Sequence, residues 1–470
     1  MKRIALLLIT LVVFGFSDAD EQQAGKGFLS DFTILVTSLK ELQPCLYKNI
    51  SKEEFDRQVQ IVSERLLKTP ERNKAIYIIQ EFFYKLGNSH AGNVSIYGDA
   101  GTMKSLPMNF YIVQHHLYIK NFPSDTSYNG TRVLSIQGTK AETLIDSLKI
   151  FFLRDGVRET MDPNLQCYFN NLYGIFCSQP DTFHITTEKG KITAPALQRG
   201  TPLFNEIVLH NSKSYFGTDE ERILTKKTEK DYAYFRFKNF QEKIRKVEIK
   251  KNYLSFIHEI TEKHVPNLII DLRDNNGGEA QLSCEMASWL SDHDLTVFTN
   301  SYITLTKRPS YLDSMNNKSY FRRRELFSYK QDTLRKYYRF MDGNTIASKK
   351  NRYKGHIYIL ISPYTQSASS LFCSYLYGQS NVTFVGDDTN GAINFFWAGN
   401  FFSSTLPHLK TDYEFGVELL EFRKNSVRTE AEQPVIPDVK IIYTIDDILN
   451  RRDLEMEWVK NDIQKKDPLH

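Results

Sequence analysis

The stretch NLIIDLRDNNGG, Asn267 to Gly278, is the one from which the fold is read. A short apolar run rich in isoleucine and leucine, bounded by turn formers, reads as a strand buried on both faces. It ends in a polar turn and two glycines, and a helix is expected from Ala280. Without Cβ atoms, Gly277 and Gly278 let the backbone approach another group closely and can turn N–H groups outward. Outward N–H groups suit the oxyanion of an acyl-transfer intermediate. A plain strand-to-helix turn would satisfy the same pattern.

Working outward, the same alternation recurs. YAYFRF (232–237), LSFIHEIT (254–261), GHIYILIS (355–362), a helix from Ser367 and VTFVG (382–386) alternate strand with helix, which predicts an α/β domain with a largely parallel sheet. Residues 301–354 are rich in Tyr, Lys and Arg without a clear period and read as a surface insertion. Upstream, residues 28–86 place apolar side chains three and four apart, the mark of amphipathic helices. Ser51 followed by Glu54 is a capping-box start. From Pro107 to Gly200 short alternating runs with Gly, Asn and Pro breaks give a β-rich module. Within it RVLSIQGTKAETLIDSL (132–148) reads as strand, tight turn at Gly138 and helix. A degenerate PDZ-like unit has that arrangement, and so do many small β domains. The charged end, RRDLEMEWVKNDIQKKD, reads as a terminal surface helix. The expected division is 1–19, a leader; 20–105, helical; 106–205, β-rich; 206–450, α/β; and 451–470, a charged tail.

The 470 residues are 41% hydrophobic and 25% charged, enough to bury several cores. A formal net charge of +4 offers no electrostatic footprint for nucleic acid. Lys2 and Arg3 precede the apolar run IALLLITLVVFGF, and Ser17 and Ala19 supply small residues at a cleavage position. That is the pattern of a cleavable secretory signal, cut after Ala19, and it predicts a secreted or periplasmic protein with no membrane span in the mature chain. Five cysteines, Cys45, Cys167, Cys177, Cys284 and Cys373, are too few for a disulfide framework, although Cys167 and Cys177 are near enough in sequence to pair. No C-x-x-C or H-E-x-x-H spacing occurs, so neither a metal nor another cofactor is implied.

A second segment, HIYILISPYTQSASSLFCSYLYG (356–378), again runs from a buried strand through small residues into an amphipathic helix. Ser367 falls at the helix start, in the positive end of the dipole, with the Ala368 N–H beside it. A simple N-cap serine is the structural alternative.

Together the two segments resemble the tail-specific (C-terminal processing) proteases and the tricorn core protease. The first gives Asp271-Leu272-Arg273-Asp274-Asn275-Asn276-Gly277-Gly278 against D-L-R-x-N-x-G-G, and the second Gln366-Ser367-Ala368-Ser369 against an S-A-rich nucleophile helix. GDDTNGA (386–392) resembles the family's later G-E-x-T-x-G loop. The resemblance implies a ClpP/crotonase-like catalytic core, a serine peptidase acting on peptides or proteins, and Ser367 as nucleophile. It implies an oxyanion hole from N–H groups of Gly277 or Gly278 and Ala368.

Serine/lysine members carry a lysine after T-x-G, where this chain has Ala392. A neutral serine needs some base within hydrogen-bond reach. The tricorn-like branch uses a histidine in L-G-x-x-H, matched by Leu86-Gly87-Asn88-Ser89-His90. On that resemblance His90 is the base, Ser89 holds the imidazole, and a glutamate before a late V-x-P-D completes the set. Glu432 or Glu430, ahead of Val435-Ile436-Pro437-Asp438, would be that glutamate, with Glu432 preferred; Pro434 stands where the family has glycine. A catalytically inactive peptide- or ligand-binding relative is the alternative function, favoured by Ala392. A lipase-type hydrolase would need a G-x-S-x-G elbow, which the chain lacks.

Overall fold

The computed structural model describes residues 18–93, 104–153, 155, 164–198, 200–205, 207, 223–304, 330–332, 337–340, 345–422 and 434–466. The leader falls almost wholly on residues 1–17, outside that set. Helices α1 (Asp18–Leu42), α2 (Lys52–Leu67) and α3 (Arg72–Lys85) open the chain. Phe32, Leu35 and Leu39 of α1 are buried against Phe55 and Leu66 of α2 and Phe82 and Phe83 of α3. The Ser51 hydroxyl accepts the Glu54 N–H at the start of α2. The same core takes in Phe402, Leu406, Tyr413, Phe415 and Val417 from near the other end of the chain. The first helices and a late hairpin are thus one packing unit, and strand β1 (Ala91–Asn93) belongs to it, pairing with Tyr413–Phe415.

The middle module is an antiparallel sheet in the order β2 (Asn109–Val113), β3 (His116–Asn121), β4 (Arg132–Ile136), β5 (Thr182–Thr187), β6 (Gly190–Pro195). Helices α4 (Ala141–Leu148) and α5 (Asn164–Phe176) lie between β4 and β5 in the chain. They pack on the sheet through Leu144, Ile145, Leu165, Phe169 and Leu172. No disulfide joins Cys167 to Cys177.

The α/β part contains β7 (Leu224–Thr228), β8 (Ala233–Phe237), α6 (Ile249–Glu262), β9 (Asn267–Asp271), α7 (Ala280–Ala287), β10 (Asn300–Ile303), β11 (Lys330–Asp332), β12 (Tyr337–Phe340), β13 (His356–Ile361), α8 (Ala368–Leu376), β14 (Val382–Gly386), β15 (Phe395–Thr405), β16 (Asp412–Glu421), β17 (Val439–Lys440) and α9 (Leu454–Lys466). Its main sheet runs β7-β8-β9-β13-β14-β17, parallel except for the edge pair β7–β8. The run in β9 is apolar throughout because both faces are covered. Leu268 and Ile270 face the core shared with α6, α7 and α8, whereas Ile269 faces Val459 and Ile463 of α9. The final helix is therefore half core, not only a charged surface element.

Residues 301–354, read from sequence as a surface insertion, are in part a second sheet. There β16 pairs with β1, β15 and β10, and β12 joins β10 to β11. Ser301, Tyr302 and Ile303 are buried. Their strand lies between β12 and the distant β16, so its pairing is set by other segments and no local period announces it.

Asp271 and Arg273, at the end of β9, form a buried ionic cluster. The Arg273 guanidinium donates to both Asp271 carboxylate oxygens at 3.0 and 2.7 Å, to Asp453 at 2.7 and 3.0 Å and to Glu455 at 3.1 Å. Tyr234 donates to Asp271 at 2.7 Å, and Tyr443 donates to Glu455. The cluster fastens the start of α9 to the strand end. Arg273→Ala would leave Asp271 and Glu455, whose side chains are 1% and 6% exposed, buried without their cation. The expected loss is about 3–5 kcal/mol of stability, read from urea unfolding midpoints at constant slope.

Candidate active site

Parallel pairing of β9 with β13, Asp271 opposite Leu360, brings both strands to an end at one edge of the sheet. The turns that follow, into α7 and α8, must then meet, which is where open α/β sheets place their ligands. Ser362 donates to the Arg273 carbonyl at 2.6 Å and Thr365 to the Leu272 carbonyl at 2.9 Å, so the two turns are stitched together. Ser367 immediately precedes α8 with φ 54° and ψ −128°. A left-handed conformation is costly for a residue with a Cβ, about 1–3 kcal/mol. The Ser367 side chain makes no capping hydrogen bond. The N-cap explanation for this serine therefore has no hydrogen bond behind it, and the strained strand-to-helix turn presents its hydroxyl much as a nucleophile elbow does.

Two glycines make room around it. A Cβ on Gly277, whose φ is 107°, would come within 2.7 Å of Ser367 Cβ and 2.9 Å of Ala368 N. A Cβ on Gly391 would lie 2.7 Å from Ser370 Oγ and 3.5 Å from Ser367 N. Gly278, with φ 140°, is pressed instead against the Phe240 backbone, with a Cβ there only 2.4 Å from its carbonyl oxygen. The Gly277 N–H is engaged, donating to Asn275 Oδ1 at 3.0 Å.

His90 follows α3 just before β1. Its Nδ1 lies 3.0 Å from Ser89 Oγ, and its N–H donates to Asn88 Oδ1 at 2.9 Å. The ring sits among Phe396 and Phe401, with centroids 5.7 and 6.0 Å away. Burial pushes the imidazole below its ordinary value, and the nearby Asp155 carboxylate works against that. Sequence reading passed over Asp155, which lies in an unpatterned stretch between α4 and α5 with no motif around it. Yet its Oδ1 accepts the Ser89 N–H at 2.8 Å. Burial raises the Asp155 carboxyl, opposed by His90, by Ser89 and by the Ala392 N–H.

Ala392, at the family's lysine position, is buried and thus contributes its backbone to this cluster. Asn390 extends the link. It accepts the Asp155 N–H at 3.3 Å and donates its own N–H to the Thr365 carbonyl at 3.0 Å. The loop 389–392 thereby connects the Ser89–His90–Asp155 group to the turn that carries Ser367. Glu432 and Glu430 lie outside the described residues. The chain re-enters at Pro434, bridged to Ala392, and Val435 exchanges hydrogen bonds with Thr389. Among the described residues no cluster of His, Cys, Asp and Glu could hold a metal ion, and no helix is long and apolar enough to cross a membrane.

Residues 231–441 match the model of peptidase family S41. Mature CPAF complexed with lactacystin superposes with a TM-score of 0.64 at 14% identity, over 94% of this chain and 98% of that one. Another structure of mature CPAF gives 0.62 at 14% identity over 95% and 99%. The photosystem II D1 C-terminal processing protease aligns at 12% identity over 91% and 94%, with a TM-score of 0.40. Identities this low speak for the fold alone, here across the helical, middle and α/β parts together. No curated protein matches the chain by sequence. The D-L-R-x-N-x-G-G strand end and the serine turn both lie inside the segment that matches peptidase family S41, and on that match the chain is a serine-type peptidase.

Proposed function

We propose that this protein is an exported peptidase that cleaves peptide bonds through an acyl-enzyme on Ser367, with His90 as general base. The observation that carries the reading is the strained, uncapped Ser367, wedged between Gly277 and Gly391 and joined to His90 through the 389–392 loop. Ser367 Oγ attacks the scissile carbonyl carbon as its proton passes to His90 Nε2. With Nδ1–H donating to Ser89 Oγ, Nε2 keeps the lone pair this requires. The oxyanion is held by the N–H groups of Gly278 and Ala368, since that of Gly277 already serves Asn275. His90 then returns the proton to the leaving amine, and a water molecule repeats the sequence to release the acid. Glu432 stays the proposed glutamate of the set, and Asp155 joins it as a positioning carboxylate. The middle module is read as a degenerate PDZ-like accessory unit. Its combination of an antiparallel sheet with packed helices is compatible with that reading.

Ala392 favours a second function, an inactive relative that binds a peptide or ligand. A fluorophosphonate probe separates the two. The parent should label, and Ser367→Ala should not; peptide cleavage should fall by about four orders of magnitude or more in Ser367→Ala, and steeply in His90→Ala. An unlabelled, inactive parent with intact ligand binding would support the second reading instead.

The base must be neutral to act, so activity rises as pH climbs through the His90 pKa. Burial lowers that pKa, and the acid limb of kcat/KM should therefore lie below the ordinary histidine value of about 6.5.

Asp155 holds the imidazole pKa up. Asp155→Asn should move the acid limb to still lower pH while reducing kcat at least about tenfold. A purely structural role would lower stability without moving the limb. Glu432→Gln, measured in parallel, should reduce kcat without losing the fluorophosphonate-reactive serine.

A further inference from the structure

A cleft of about 290 Å³ opens beside His90, and the mechanism above leaves it unassigned. Phe151, Leu153 and Phe401 supply apolar walls, Gly92 lies among its lining residues, and Glu414 adds a carboxylate. Gly92 and Glu414 are register partners in the β1–β16 ladder. Gly92 has φ 131°, and a Cβ there would stand 2.8 Å from Leu153 Cδ1, so a side chain at 92 would intrude on the cleft. The volume is slightly below the range of about 300–1,000 Å³ typical of small-molecule pockets. It has room for one long side chain.

Glu414 is half-buried, and among the described residues no charged or hydrogen-bonding side chain acts on its carboxylate. Burial pushes its carboxyl up, and no charge among the described residues offsets that. The other carboxylate near His90, Asp155, is buried with its Oδ1 accepting the Ser89 N–H, and it does not line the cleft. A partly desolvated carboxylate without a cation gains most from a cationic guest. Apolar and aromatic walls accept the methylenes of such a guest, and ring faces attract its charge. A carboxylate at the same spot would repel an acidic side chain.

We infer that this cleft receives a lysine or arginine side chain of the peptide substrate, close to the scissile bond, with Glu414 as its counter-ion. The inference rests on the peptidase reading of the same site and names its substrate class. Glu414 is a specificity residue here and takes no part in the bond-making steps.

Two measurements test it. A set of peptides in which lysine, arginine, norleucine or glutamate is moved through each position is offered to the parent, and the cleaved bonds and kcat/KM values are determined. A basic residue at one fixed position beside the cut should raise kcat/KM at least about tenfold over norleucine. Glu414→Gln should erase that preference while norleucine peptides are cut as before, Glu414→Asp should retain part of it, and Glu414→Lys should invert it toward glutamate. The second measurement is fluorescence anisotropy of the same peptides on inert Ser367→Ala protein, where the ranking should recur and should vanish when Glu414→Gln is added. No basic preference in either assay, or one that survives Glu414→Gln, overturns the inference. Were the Ser367 acyl-enzyme wrong, labelling and cleavage would fail while the binding preference persisted, so the two failures look different.

Discussion

The structure depends on the parallel register of β9 against β13. With Asp271 opposite Leu360, two strands about ninety residues apart in sequence stop at the same edge, and the turns leaving them are forced together. Everything proposed for catalysis grows from that meeting. Gly277 can lie against Ser367 only because it has no Cβ, and Ser367 can hold a left-handed backbone only because both of its flanks are fixed by buried elements. The hydroxyls of Ser362 and Thr365 fix the approach by bonding to the carbonyls of Arg273 and Leu272.

The arginine of the D-L-R motif serves this arrangement without touching the chemistry. Its guanidinium spans Asp271 on the strand and Asp453 and Glu455 at the entrance to α9, so the last helix holds the strand end from beneath. Burying so many charges is expensive unless each is paired, and here the pairing is nearly closed by Tyr234 and Tyr443. A motif that looks catalytic is thus divided by function: Asp271 and Arg273 hold the strand, while Asn275, Gly277 and Gly278 shape the space above it.

The loop 389–392 does for His90 what that cluster does for the strand. Its Asn390 carbonyl accepts the Asp155 N–H, and its Ala392 is buried beside Pro434. Asp155 in turn takes the Ser89 N–H, so the loop that carries His90 is held relative to the loop beside Ser367. His90 itself follows α3, in the first helical unit. That unit is itself anchored by sharing its core with Phe402, Tyr413 and Phe415 of the late hairpin.

Sequence alone determined the local elements and the residue types at the turns. The apolar run of β9, the paired glycines, the serine before α8 and the Leu86–His90 string each carry their signal within a few neighbours, because strand burial, positive φ and helix starts are short-range properties. Strands β10 and β12, Asp155 and the Glu414 cleft were not legible. Their roles come from partners outside their own stretch: β16 for β10 and β10 in turn for β12, Ser89 and Ala392 for Asp155, and Gly92 with Phe401 for the cleft. A carboxylate in an unpatterned loop looks the same in sequence whether it faces water or an imidazole. Only the packing of the tertiary fold, by removing water and choosing the neighbours, decides which of the two it is.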